Sequence, residues 1–170
     1  MRFVFAAALL ALTFTRLDAQ NGAPTYGRSR SDPLIGIINQ VPSFSGMWLD
    51  KEGNFHGSLT DLNDSTRLRP LLAEFIGDSR RAFLLKPGKG IVIERAKYSY
   101  AKLYEWQCAI ERLMGSVDGF QSIGVREREN QVHIGVIKPA VIDKVRQIVK
   151  SLKIPDDAVH IEVEGQVYAL

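Results

Sequence analysis

The chain has 170 residues, of which 45% are hydrophobic and 24% are charged, and its formal net charge is +3. This length and balance are typical of one globular domain with a core of its own. The positive charge is small and dispersed, so the composition excludes a nucleic-acid-binding protein that relies on a basic surface.

Residues 1–19 have the pattern of a signal peptide. Arg2 supplies a positive start, the apolar stretch 3–14 is too short to span a bilayer, and Ala19 offers a small residue for cleavage. A buried N-terminal helix or an uncleaved anchor is the alternative. We expect an exported protein, periplasmic or extracellular, with no membrane segment after signal cleavage and with residues 20–32 as a flexible leader.

A short helix and a β-hairpin are predicted next. Pro33 fits the first position of a helix that ends before the next proline. The alternation that follows predicts strands at about 45–50 and 54–60. Gly53 suits the positive φ of the turn between them.

The segment after this hairpin predicts a helix and a third strand. Asn63, Asp64 or Ser65 can cap the helix, and Gly77 ends it. Pro70 either kinks the helix or marks a later start, because proline lacks the N–H that a helix interior uses. The alternating stretch IVIERAKY then predicts a strand.

The second half predicts the same order of elements after a helix of its own. Ser99 caps that helix, and Gly115 ends it. Strands follow at 121–128 and 131–137, and Pro139 begins the next helix. The stretch VHIEVEG, with strict alternation, predicts the last strand.

The element order predicts an α+β fold in a single domain, residues 33–170. The order β-β-α-β occurs at about 45–96 and again at about 121–164, which indicates two half-repeats. The elements from residue 91 onward follow the ferredoxin-like order β-α-β-β-α-β. We therefore expect an antiparallel sheet with helices on one face.

Chemistry-bearing residues are few. The three histidines, His56, His133 and His160, fall in predicted strands. His56 and His133 take similar places in the two hairpins, so they would approach each other across one sheet if both faced outward. Their spacing matches no metal-ligand motif, and no catalytic motif is present. We expect no metal, no cofactor and no enzymatic activity; a Ser-His-Asp triad assembled in space is the alternative.

A sheet covered by helices on one face leaves the other face for a partner. The candidate partner surface consists of aromatic and histidine side chains near that face, or at the rim of the apolar stripe on the predicted helix that Ser99 caps. They are Trp48, Phe55, His56, His133, Tyr100 and Tyr104.

Three segments carry a resemblance to a known family: FSGMWLDKEGNFHGSLTD, IVIERAKYSYAKLYEWQ and DGFQSIGVRERENQVHIGV. Over residues 44–164 the chain resembles the pro-regions of secreted bacterial serine proteases of the streptogrisin and alpha-lytic protease group. Those pro-regions are α+β modules that assist folding of the protease and then inhibit it. The shared features are core alternation and turns, so the resemblance assigns no role to an individual residue.

Because no protease domain follows in this sequence, the resemblance implies a free-standing module. We expect an exported, non-catalytic binding module that docks or inhibits a secreted protein in trans, such as a serine protease. The alternative is a cell-envelope domain that binds a small molecule. An exposed edge strand would also allow the chain to dimerise.

Overall fold

The computed structural model describes residues 33–77 and 89–164. The predicted signal peptide and leader lie outside these residues, as do residues 78–88 and 165–170. Among the helices of the described ranges, none combines the length and the apolar composition that crossing a membrane requires.

The first half of the fold is a β-β-α-β unit preceded by a short helix, α1 (Pro33–Gln40). We call residues 44–95 the first unit. Its elements are β1 (Phe44–Leu49), β2 (Phe55–Leu59), α2 (Ser65–Gly77) and β3 (Ile91–Arg95).

The second half has the same order and is joined to the first by α3 (Tyr100–Met114). We call residues 120–163 the second unit. Its elements are β4 (Phe120–Arg126), β5 (Gln131–Val136), α4 (Ile142–Ser151) and β6 (Val159–Val163).

The α+β class is confirmed, but the strands of the described ranges form two three-stranded sheets, β1-β2-β3 and β4-β5-β6, rather than one antiparallel sheet. In each sheet the central strand pairs antiparallel with its hairpin partner and parallel with the third strand. The physical reason is the helix between the second and third strands. A crossover through a helix returns the chain in the same direction, whereas a tight turn reverses it.

The α-helix α2 begins within the predicted capping segment, residues 63–65, and a 3₁₀ turn precedes it. Asp61 precedes a single 3₁₀ turn at residues 62–64, and its carboxylate accepts a hydrogen bond from the Asn63 N–H at 3.0 Å. The α-helix begins at Ser65, so Pro70 lies inside it. Pro70 cannot make a backbone hydrogen bond inside the helix. The burial of leucine and isoleucine side chains on the inner face of α2 offsets the free-energy cost of that missing bond.

At the two helix starts of the second half, the prediction for Ser99 is confirmed and that for Pro139 is met only by a 3₁₀ turn. The Ser99 hydroxyl accepts a hydrogen bond from the Lys102 N–H at 3.3 Å at the start of α3, as predicted. Pro139 opens a 3₁₀ turn, and α4 begins only at Ile142.

Helices cover one face of each sheet. In β2, Phe55, Gly57 and Leu59 face α2, so that a Cβ at Gly57 would lie against the side chains of Leu68 and Leu72. The buried side chains form two clusters, the first core in the first half of the fold and the second core in the second half. In β5, the buried residues Val132, Ile134 and Val136 face the second core. Helix α3 serves both cores, with Tyr100 in the first and with Leu103, Ile110 and Met114 in the second.

The tip of the second hairpin packs against the first unit. The Met47 N–H donates to the Glu127 carboxylate at 2.7 Å, and a Cβ at Gly46 would lie 2.6 Å from the Glu127 Cβ. Gly46 has a φ of +151°, a conformation that side chains disfavour. At the same tip, the Asn130 side chain accepts from the Lys97 and Tyr98 N–H groups and donates to the Tyr98 carbonyl.

Candidate functional site on the open sheet faces

The face of each sheet that none of the described helices covers, which we call the open face, holds one histidine on its central strand. In the first unit, His56 lies opposite Trp48 on β1 and Val92 on β3. In the second unit, His133 takes the same register position, opposite Gly124 on β4 and His160 on β6. The two units therefore place a histidine at one shared position with different neighbours.

His56 has carboxylate partners at both ring nitrogens. Its Nε2 lies 3.0 Å from the Asp50 carboxylate, and its Nδ1 lies 2.6 Å from the Glu94 carboxylate. The Trp48 ring stacks on the imidazole with centroids 5.2 Å apart and an interplanar angle of 11°. Two acceptors on one ring favour the doubly protonated imidazolium.

The electrostatics of this group agree with that protonation state. Burial lowers the pKa of His56, but hydrogen bonds to Asp50 and Glu94 outweigh it and raise that pKa above its ordinary value. The Asp50 carboxyl has its pKa lowered, first by the hydrogen bond from His56 and then by that from Asn54. Both ring nitrogens of His56 are thus engaged by carboxylates.

His133 is 7% exposed and lies in a different arrangement. Its ring stacks on that of His160, with centroids 5.7 Å apart and an interplanar angle of 19°. Its Nε2 lies 2.6 Å from the Glu164 carboxylate and 3.0 Å from Arg126 Nη2. Its Nδ1 is buried and has no hydrogen-bond partner among the described residues.

Glu164 reaches His133 by folding over a glycine. A Cβ at Gly135 would clash with the Glu164 carboxylate, so the absent side chain leaves the space that this carboxylate occupies. The Ser122 hydroxyl donates to the other carboxylate oxygen at 2.6 Å. Hydrogen bonds from Ser122 and then from His133 lower the pKa of Glu164.

Three side chains at His133 are close enough together to supply ligands to one metal ion. One ligand atom from each of His133, His160 and Glu162 lies within 4.8 Å of the other two. Arg126 Nη2 also lies 3.1 Å from the Glu162 carboxylate, so its guanidinium bridges His133 and Glu162. Sequence spacing missed this group because strand register across β5 and β6 brings it together. The alternation of VHIEVEG does place His160 and Glu162 on one face.

The predicted partner surface is only partly assembled. Trp48 and His56 lie together on one open face. Phe55 and Tyr100 are each 4% exposed and belong to the first core, so their prediction as surface residues is wrong. Phe55 is adjacent to His56 in an extended strand, so it points to the opposite, helix-covered face.

The remaining predicted residues lie apart. His133 belongs to the second sheet, and the ring stacked against it is His160 rather than His56, which corrects the expectation of one shared sheet. Tyr104 is half-buried on α3, stacks on the Tyr100 ring and lines a groove with Cys108.

No family model matches the sequence, and no curated protein is similar to it. The resemblance to protease pro-regions therefore stays a prediction.

Proposed function

We propose that the chain is an exported, non-catalytic binding module that docks a secreted protein by adding an extended segment of that protein to a sheet edge. The observation that carries this proposal is the outer edge of the third strand in each unit. Within the described ranges, neither β3 nor β6 has a strand on that side. Unpaired edge groups are a template for another chain.

In β3 the backbone groups that face outward can be assigned. The Phe55 N–H donates to the Gly90 carbonyl, and the Ala96 N–H donates to the Leu59 carbonyl. Even-numbered residues of this strand therefore bond to β2, and alternation turns the backbone groups of Ile91, Ile93 and Arg95 outward. Arg69 donates to the Ile91 carbonyl at 2.8 Å, which leaves the middle and end of the edge for a partner.

In β6, as in β3, the odd-numbered residues turn their backbone groups outward. The Glu164 N–H donates to the Val136 carbonyl at 3.0 Å, so even-numbered residues bond to β5. The backbone groups of Val159, Ile161 and Val163 then face outward. Each unit thus ends in an edge of about the length that strand addition uses.

Exposed apolar side chains accompany these edges. Val92 on β3 is 38% exposed and Val163 on β6 is 41% exposed. A docked strand would cover apolar surface as well as pairing its backbone, which favours a protein over a small polar ligand. The resemblance to protease pro-regions suggests that the partner is a secreted serine protease, bound in trans.

A second candidate function is small-molecule binding. A cleft of about 280 Å³ lies between the open face of the first sheet and the tip of the second hairpin. Trp48 lines it together with charged side chains, including Glu94, Lys97 and Glu127. A small polar compound that fits this cleft would raise the melting temperature without a protein partner.

The test uses proline variants at matched positions of the two edges. Arg95 pairs with Leu59, and Val163 pairs with Val136, so the two residues are equivalent in register. Proline removes an outward N–H while the inner ladder keeps its bonds. Tagged mature protein, residues 20–170, is exposed to the host's exported proteins, and the retained proteins are identified.

Docking at an edge predicts stoichiometric retention of one secreted protein by the wild type, with loss in Arg95→Pro or in Val163→Pro. Circular dichroism first establishes that both variants are folded. Retention that is equal in the wild type and in both proline variants would reject strand addition. The absence of any retained protein on folded bait would move the small-molecule cleft to first place.

A further inference from the structure

We propose that His133, His160 and Glu162 form a binding site for a divalent transition-metal ion, with Zn²⁺ as the ion that the donors suit best. The three ligand atoms lie within 4.8 Å of one another. The inference does not depend on the docking proposal, because the site lies on the open face of the second sheet and needs no partner.

Strand geometry brings the ligands to one face. His160 lies opposite His133 in the β5–β6 register, and Glu162 follows His160 by two residues on the same strand. Ligand atoms of a tetrahedral zinc site lie roughly 3.3 Å apart, given bonds of about 2.0–2.1 Å. The side chains of His160 and Glu162 are 48% and 49% exposed, so they have the freedom to close the remaining distance.

The donor chemistry fits zinc. Two imidazoles and one carboxylate are a common protein ligand set for Zn²⁺, with the fourth position open to water or to another group. Calcium and magnesium prefer oxygen donors alone, so two histidines disfavour those ions.

His133 is already held as metal-bound histidines are. In the proposed site the His133 Nε2–H donates to the Glu164 carboxylate, whose oxygen lies 2.6 Å from Nε2, and Ser122 holds Glu164 in turn. A carboxylate behind the ligand imidazole orients the ring and increases its basicity. This tautomer leaves a lone pair on Nδ1, the buried atom without a hydrogen-bond partner in the described ranges.

Arg126 competes with the metal ion in the metal-free chain. Its Nη2 donates to the Glu162 carboxylate at 3.1 Å and so engages one of the proposed ligands, and it also lies 3.0 Å from His133 Nε2, the ring nitrogen beside Glu164. The Arg126 side chain is 40% exposed and can move into solvent when an ion binds. Removal of this cation should therefore strengthen metal binding.

The first unit serves as an internal comparison. At the position of His160 it carries Val92, and at the position of Arg126 it carries Asp50. Both nitrogens of His56 are engaged by carboxylates. The proposal therefore predicts one metal ion per chain, in the second unit only.

Calorimetric titration of Zn²⁺ into tag-free, chelator-treated protein, residues 20–170, tests the site. We expect one ion per chain. His160→Ala and Glu162→Gln should each weaken binding by at least about tenfold, and Arg126→Gln should strengthen it. Glu94→Gln is the matched control, because Glu94 takes the register position of Glu162 in the first unit.

Circular dichroism checks the fold of each variant, all of which change partly exposed side chains. No binding at tens of micromolar Zn²⁺, or binding that survives both His160→Ala and Glu162→Gln, would overturn the proposal. A loss caused by Glu94→Gln would likewise overturn it, because the ion would then lie in the first unit.

Discussion

His56 and His133 occupy the same register position in two sheets of identical strand order, yet their charged neighbours differ. His56 lies between two carboxylates. His133 contacts one carboxylate and one guanidinium and stacks on a second histidine. The same backbone unit therefore holds an ion-paired histidine in one half of the chain and a candidate metal ligand in the other.

The His56 cluster predicts how stability depends on pH. The folded-state pKa of His56 is raised above 6.5, so its stabilising contribution is complete below about pH 6.5 and is lost as the pH rises through the folded-state pKa. Melting temperatures of the wild type and of His56→Gln should differ most at acidic pH near 5.5 and least in alkaline buffer. A difference that is constant across this range would contradict the assignment.

The lowered pKa of Asp50 predicts a loss of stability at acidic pH. Its pKa is lowered from 3.8, so its stabilising contribution is present above about pH 3.8 and is lost as the pH falls further. Asp50→Ala should lower the melting temperature at neutral pH and should lose this effect in strong acid. Thermal scans by circular dichroism measure both ends, and an effect that grows on acidification would contradict the ion pair.

Gly135→Ala should release Glu164 from His133 and Ser122. The added Cβ would meet the end of the flexible Glu164 side chain and also the Ser122 hydroxyl oxygen, and both groups can rotate away, so we expect a modest loss in the free energy of unfolding. Zinc affinity should fall by about 10- to 100-fold because the ring loses its orienting carboxylate. Gly124→Ala is the control, since nothing lies within 4 Å of its added Cβ. Equal zinc affinity in the two variants would contradict this role of Glu164.

Gly57→Ala should destabilise the first core. The added Cβ would clash with the Leu72 side chain and would lie 3.2 Å from that of Leu68, so these buried side chains or α2 itself must shift. We expect the free energy of unfolding in urea to fall by about 1–3 kcal/mol. Gly36→Ala in α1 is the control, because its Cβ meets nothing within 4 Å and alanine is the better helix former. Two variants of equal stability would show that α2 does not pack closely on β2.

The hydrogen bonds of the Asn130 side chain connect the hairpin tip of the second unit to the segment before α3, so we expect them to contribute to stability. Asn130→Gly keeps the backbone conformation, whose φ is 55°, but removes the three side-chain hydrogen bonds. We expect about 1–3 kcal/mol of destabilisation, measured by urea unfolding. Asn130→Ala should be less stable still, because alanine disfavours a positive φ. Wild-type stability in Asn130→Gly would contradict the connection.

Local signals in the sequence predicted much of the fold. Alternation located both hairpins to within about two residues, and Ser99 marked the start of α3. The division into two mixed sheets was not predicted, because pairing of β2 with β3 and of β5 with β6 joins segments that a helix separates. Such pairing depends on the packing of that helix rather than on local composition.

The candidate sites were harder to predict for a related reason. Alternation separates the two faces of a strand but does not say which face a helix covers, so Phe55 was assigned to the surface although it is in the core. The group of His133, His160 and Glu162 depends on register between two strands, and no sequence spacing encodes that register.

Hydrogen–deuterium exchange of the mature chain, with and without a captured secreted protein, tests the central claim most directly. Strand addition predicts slower exchange of outward-facing amides on one edge, either Ile91, Ile93 and Arg95 or Val159, Ile161 and Val163. The amides of α3 should change little. Protection confined to α3, or unchanged exchange at both edges in a stoichiometric complex, would contradict docking at a sheet edge.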